Sequence, residues 1–229
     1  MTMEMTPILI SLKTACVAII FTFIIGTVLA YLVCKTKNEH IRSVIDAILT
    51  LPLVLPPTVA GFFLLYIFGV NRPLGKIFAD LGMKLVFSWE ATVIAAVVIA
   101  LPLMYRSARS AFDQVDPMYI QAARTIGLSE TKIAFRILIP LSSPGLTTGG
   151  ILAFSRGLGE FGATAMIAGN IAGVSRTMPL AIYSAVSGGN MQGAYEYVAI
   201  LVAISFLFVL SINVFSEKKY NKYKLKIRK

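Results

Sequence analysis

Residues 116–145, "DPMYIQAARTIGLSETKIAFRILIPLSSPG", decide how the rest of the chain is read. Asp116 is a good N-cap, and Pro117 suits the first helical position, where a missing N–H costs nothing. Gly127 stands where a helix of about three turns must stop, because glycine takes the left-handed conformation without steric cost. Between them Tyr119, Ala122, Ala123 and Ile126 follow i, i+3, i+4, i+7, so one face is apolar. Ser129 is placed to cap a second helix that runs toward Pro140, and Pro144 falls in the first turn of a longer apolar segment. Two readings of the 117–127 helix stay open. It lies on a membrane surface, or its small residues Ala122 and Ala123, flanked by Tyr119 and Ile126, let it pack closely into a partner's groove.

Outside this stretch the chain is strongly apolar. Of 229 residues, 57% are hydrophobic and 14% charged, against roughly 25% charged in a soluble domain. Mean hydropathy is +0.78. These values point to an all-α integral membrane protein with a single membrane domain over 1–229. A helical span needs about 20 mostly apolar residues. Five segments qualify, at about 8–34, 43–69, 88–111, 143–169 and 194–216. The N-terminal "MTMEMTPILISLK" lacks a basic region before its apolar run, so it reads as a retained helix rather than a cleaved signal. Residues 170–192 are too broken by Gly and Pro to span and read as a loop with a short helix near 178–187.

Charge gives an orientation. Lys and Arg concentrate in the 35–42 loop, in 106–136 and in the tail from 217. With five spans these three segments fall on one side, which the positive-inside rule makes cytoplasmic. The expected arrangement has the N-terminus outside, a cytoplasmic segment at about 113–140 and a basic cytoplasmic tail at 217–229. The net charge of +10 is then an orientation signal and an attraction to anionic lipid, not a nucleic-acid surface. Several other chemistries are missing. Cys16 and Cys34, on one helix about 27 Å apart, cannot pair. His40 is a lone loop histidine, and no metal-ligand spacing, nucleophile–base set or paired catalytic carboxylates occur. No G-x-x-x-x-G-K-[ST] phosphate loop is present.

Three features inside the spans carry information. Pro52, Pro56 and Pro57 remove backbone donors from the second span, leaving either a passive kink or freed carbonyls that line a watery path with the hydroxyl of Thr58. Gly145, Gly149, Ala153 and Gly157 form a ladder of small residues suited to close helix packing. The run "RGLGEFG" (156–162) contains G-x-G-x-x-G, but no strand precedes it and no acidic residue follows about 20 positions on, so it is not a dinucleotide site. Read as continuous helix, it puts Arg156, Glu160 and Thr164 on one stripe. Charges at mid-bilayer cost at least about 2.5–3.5 kcal/mol, so the pair faces protein or water, either as a structural ion pair or as a pore lining or gate.

Gln121-Ala122-Ala123, Gly127 and Ile137-Leu138-Ile139-Pro140 resemble the "EAA" signature of ABC-importer permeases, E-A-A-x3-G-x9-I-x-L-P, with Gln121 in place of Glu and Ile139 in place of Leu. "LPLVLPPTVAGFFLL" (51–65), "FSWEATVIAAVVIALPLMYRSARSAF" (87–112) and "LGEFGAT" (158–164) are similar to the molybdate permease subunits (ModB) of that family, over nearly the whole chain. The resemblance implies a type I importer (MetI-like) permease fold in the plasma (inner) membrane. It implies a homodimeric pore, two cytoplasmic ATPase subunits (ModC-like) and an external molybdate-binding protein (ModA-like). Gln121, Ala122, Ala123 and Gly127 would belong to the helix that docks on the ATPase; Thr58, Arg156, Glu160 and Thr164 are the pore or gate candidates. The chain would be a transport subunit that binds no cofactor, with ATP used by the partner. Sulfate or thiosulfate permeases are the nearest alternative, and a small gradient-driven carrier or channel is the alternative of a different class.

Overall fold

The computed structural model describes residues 4–227 and, in the last helix, side chains as far as residue 210. The described chain is helical throughout. Helix α1 (Thr6–Lys35) starts at a proline-containing turn and is 30 residues long, about 45 Å at 1.5 Å per residue, enough to cross the apolar core of a bilayer. Helix α2 (Glu39–Val54) is capped by Asn38, whose side chain accepts from the N–H groups of His40 and Ile41. Helices α3 (Pro57–Phe68) and α4 (Pro73–Asp80) follow. Helix α5 (Trp89–Asp113) begins at Ser88, whose hydroxyl accepts from the Ala91 N–H. Helix α6 (Pro117–Thr125) leads to α7 (Glu130–Leu141), which contains a π-helical stretch over Ala134–Leu138. The chain then forms α8 (Ser143–Leu158), α9 (Gly162–Ile167), α10 (Met178–Ser187) and α11 (Met191–Ile227).

The centre of the molecule is α1, α5 and α8. Their contact surfaces are built from small residues, so the backbones approach closely, as they do where lipid supplies no hydrophobic drive for helix association. A methyl group added at Gly26 of α1 would lie 2.8 Å from Met104 Cγ of α5. One added at Gly145 would lie 2.5 Å from Ala111 Cβ, and one at Gly149 would lie 2.7 Å from Ser107 Cβ. The small-residue ladder thus faces α5, with Ala153 buried between the two. Near the start of α5, the Trp89 indole N–H donates to Thr14 Oγ1 at 3.1 Å and Thr92 Oγ1 donates to the Trp89 carbonyl at 2.6 Å. The 2.8 Å bond between the two threonines is therefore donated by Thr14, which closes a buried polar link between α1 and α5.

Helices α1, α5 and the part of α11 up to Leu210 are each long and apolar enough to cross a membrane, and two bent pairs bring the number of spans to as many as five. The second expected span, 43–69, is not one helix. Helices α2 and α3 meet at 112°. Leu55 precedes Pro56 and is extended at φ −69°, ψ 141°, because a residue before proline is pushed out of the helical region. Pro56 is itself extended, and Pro57 restarts the helix as its first residue. The fourth expected span, 143–169, is also interrupted: α8 ends at Leu158, and α9 begins only at Gly162. At its other end α8 meets α7 at 74°.

The expected loop at 170–192 holds one short helix, α10, at Met178–Ser187. It is pinned to α1 by Ser11, whose hydroxyl accepts from the Met178 N–H at 2.7 Å. The basic tail at 217–229 continues α11 as far as Ile227; its side chains and residues 228–229 lie outside the described residues.

Candidate functional site

Helix α6 forms for the local reasons its sequence contains. Asp116 Oδ1 accepts from the Met118 N–H at 2.8 Å, and Pro117 is the first residue. After Ile126, Gly127 adopts φ +79°, and the Leu128 N–H reaches back to the Ala123 carbonyl at 3.1 Å. Ser129 takes the N-cap position of α7, as its place in the sequence suggests, but makes no side-chain capping bond. The apolar face divides in two. Ala123 is 3% exposed and packs inside the protomer, while Tyr119 (52%), Ile126 (76%) and Met118 (63%) stand in the open. Gln121, Ala122 and Gly127 are exposed as well. The helix is thus anchored on one side and presents apolar side chains on the other.

Ion pairs hold this segment to the bundle. Glu130 takes Arg124 at 2.7 Å and Lys35, from the end of α1, at 3.3 Å. The hydrogen bond from Arg124, followed by that from Lys35, holds the Glu130 carboxyl down at about 2, well below the usual carboxylate range. Beside it, α2 is tied to α5. Arg42 donates to both oxygens of Asp113, at 3.3 and 3.2 Å, and Asp46 is bound by Arg109 and by the Tyr105 hydroxyl. The 35–42 loop, the end of α5 and the α6–α7 segment therefore share one end of the molecule. This network was not anticipated from the sequence; the i, i+4 spacing of Arg109 and Asp113 was its one local sign.

The "RGLGEFG" run forms a corner rather than a continuous stripe. Gly159 ends α8, and Phe161 turns the chain at φ −126°, ψ −58°. Glu160 sits in the gap, 2% exposed. One carboxylate oxygen takes Arg156 Nη1 at 2.7 Å and the other accepts from the Ala163 N–H at 2.7 Å. The positions are electrostatically apt: a cation in the last turn of α8 and an anion before the first turn of α9 both complement the helix dipoles. Arg156 remains 32% exposed along its side chain. Thr164 does not share an open face with these two, since the helix break turns it inward and it is 1% exposed. Thr58 is exposed and close by: a methyl group at Gly162 would lie 3.2 Å from its N and Cγ2. The corner leans on α3 through Gly61, where an added methyl would be 2.6 Å from Ala163 Cα. The structure thus groups Thr58, Arg156 and Glu160 around one break and leaves Thr164 behind it.

Several candidate membrane spans, two of them bent, a charged corner at one break and a capped, partly open helix at the basic end are the features of a multi-span helical membrane protein. The chain belongs to the family of binding-protein-dependent transport system inner membrane components, whose pattern matches residues 18–219. It is 43% identical over 208 residues to the putative molybdenum transport system permease protein YvgM of Bacillus subtilis (strain 168), covering 90% of this chain and 91% of that protein. It is 38% identical to the molybdenum transport system permease protein ModB of Escherichia coli (strain K12), covering 90% and 91%. Its fold is that of the inward-facing MetNI methionine ABC transporter, with a TM-score of 0.73 at 18% identity over 93% of this chain and 94% of that one. The protein is therefore a multi-pass inner-membrane transport subunit of an ABC importer, a class that works with an ATPase and a substrate-binding protein.

Proposed function

We propose that this chain is the pore-forming subunit of an ATP-driven importer of molybdate, with tungstate as a second substrate. The observation that carries this reading is its similarity over nine-tenths of its length to permeases of molybdenum transport systems. Two copies form the pore, with the N-terminus outside and the basic end in the cytoplasm. An external ModA-like protein delivers the oxyanion, and two ModC-like ATPase subunits seat on the α6 helices through Gln121, Ala122, Ala123 and Gly127. The exposed Met118, Tyr119 and Ile126 support that docking, because an apolar face lacking cover in the protomer calls for a partner. ATP binding draws the ATPase subunits together and moves the two α6 helices with them. Helix α7, latched to α6 and α1 through Glu130, passes the movement to α8. The pore opens toward the loaded binding protein, and hydrolysis resets it. The chain itself holds no cofactor and hydrolyses no ATP; its work is a change of access.

Competition among molybdate, tungstate and sulfate for uptake into proteoliposomes carrying permease, ATPase and binding protein tests this function. Molybdate and tungstate displace each other, and sulfate competes weakly. Preferred uptake of sulfate would reassign the cargo, and uptake without the ATPase would make the chain a gradient-driven carrier.

A further inference from the structure

Beside the α2–α5 ion pairs at the basic end, α5 carries an arginine outside that network. Asp46 and Asp113 are matched by Arg109 and Arg42. Arg106 makes no ion pair among the described residues and is exposed. It lies one and two turns before Ser110 and Gln114, at i, i+4, i+8, so the three form a stripe along the last turns of α5. They line an open groove of about 680 Å³ between α5 and the start of α8, bordered on the far side by Pro144, Gly145 and Thr148, and on their other flank a cavity of about 500 Å³ that also holds Asp46, Arg109 and Asp113. Gln114 donates its side-chain N–H to Ser110 Oγ at 3.1 Å, so Ser110 is already an acceptor and its own O–H is available to the groove. An unpaired guanidinium with a hydroxyl donor beside it is chemistry suited to a tetrahedral oxyanion, which arginine binds through two parallel N–H···O bonds. Asp116, whose carboxylate caps α6, stands at the rim of the same groove. Its negative charge opposes long residence of an anion.

We propose that Arg106, with Ser110, forms a transit site for a tetrahedral oxyanion dianion at the cytoplasmic mouth of the pore, distinct from the Arg156 corner. The proposal rests on the oxyanion-import reading above. The site receives the ion after it leaves the membrane interior, holds it weakly and releases it past Asp116. A residue that serves passage and not assembly should uncouple transport from ATP use.

The test is uptake of labelled molybdate per ATP hydrolysed in proteoliposomes holding the complete importer. Arg106→Gln should lower uptake about tenfold or more, the effect of losing one charge-assisted contact, while ATP hydrolysis stimulated by the loaded binding protein continues. Arg106→Lys should restore part of it, and Ser110→Ala should cause a smaller loss. Unchanged uptake in Arg106→Gln overturns the site, as does a parallel fall of uptake and ATP hydrolysis that Arg106→Lys does not relieve. Should Arg106→Gln fail to assemble, Ser110→Ala decides, and wild-type uptake in that variant overturns the site. Wild-type liposomes that import no oxyanion would refute the import reading and the site with it. Normal wild-type import with no effect of these variants refutes the site alone.

Discussion

Glu160 is the most constrained side chain near the break. It is a carboxylate at 2% exposure whose two oxygens are each taken by one donor, Arg156 and the Ala163 N–H. Removing one partner of a buried pair leaves an uncompensated charge and costs about 3–5 kcal/mol, far more than the net worth of the pair. Arg156→Ala does this to Glu160. Glu160→Gln does not do it to Arg156, because the guanidinium keeps access to its surroundings and the amide oxygen still accepts from Ala163. Thermal unfolding of the purified protein in detergent should therefore show a clear loss for Arg156→Ala and a smaller one for Glu160→Gln. The reverse order would mean that the pair does not hold the corner. Measured per assembled transporter, uptake in the same variants separates holding the corner from lining the path. The sequence brings Arg156 and Glu160 within reach of each other on any helix. It does not show that the helix ends between them, because the amide that completes the Glu160 pair belongs to Ala163, which is available only once the chain has turned.

The contact between α5 and α8 makes a graded forecast. Methyl groups at Gly145 and Gly149 would meet α5 atoms at 2.5 and 2.7 Å, whereas one at Gly157 would meet Ala96 Cβ at an ordinary 3.7 Å. Overpacking a close interface costs about 1–3 kcal/mol. Gly149→Ala and Gly145→Ala should lower the unfolding midpoint in detergent, and Gly157→Ala should leave it near wild type. Equal effects at all three positions would sink this account of the ladder. The latch from α6–α7 to α1 makes a pH forecast. Glu130 is held at about 2 by Arg124 and Lys35, below its ordinary value, so its contribution to stability is fully present above about pH 4.5 and is lost as pH falls toward 2. The difference in stability between wild type and Glu130→Gln should stay constant from pH 8 to about 5 and shrink below that. A difference that peaks near pH 4 would contradict it. What was legible at this scale was local: the caps of α6, the stop at Gly127 and the limits of α10 each follow from one or two neighbouring residues. The prolines of 52–57 signal a break, but not its 112° angle, which depends on α2 resting on α5 through Arg42 and Asp46 while α3 rests on α9.

For the whole molecule, the proposed function raises the question of how the permease would respond to the state of an ATPase partner. Helix α6 offers two faces with different duties. Its inner residue Ala123 is 3% exposed and belongs to the protomer's own packing, while Tyr119, at the edge of the groove beside α5, and Ile126 are exposed at 52% and 76%. A charge on the outer face should therefore spare the fold and damage the partnership. Tyr119→Asp and Ile126→Asp should give permease of normal yield and thermal stability that no longer co-purifies with the ATPase. Anchors of this kind in an interface are worth about 2 kcal/mol or more each, so about a thirtyfold loss of affinity is expected from one substitution. Ala123→Leu should act in the opposite sense, lowering the stability of the permease itself, because a larger side chain has no room there. Deleting 117–127 should remove ATPase binding entirely. The comparison that decides is stability against co-purification across the set. If the outer-face variants unfold the permease, α6 is part of the bundle alone. If the deletion still retains the ATPase at full stoichiometry, the coupling surface lies elsewhere on the basic end.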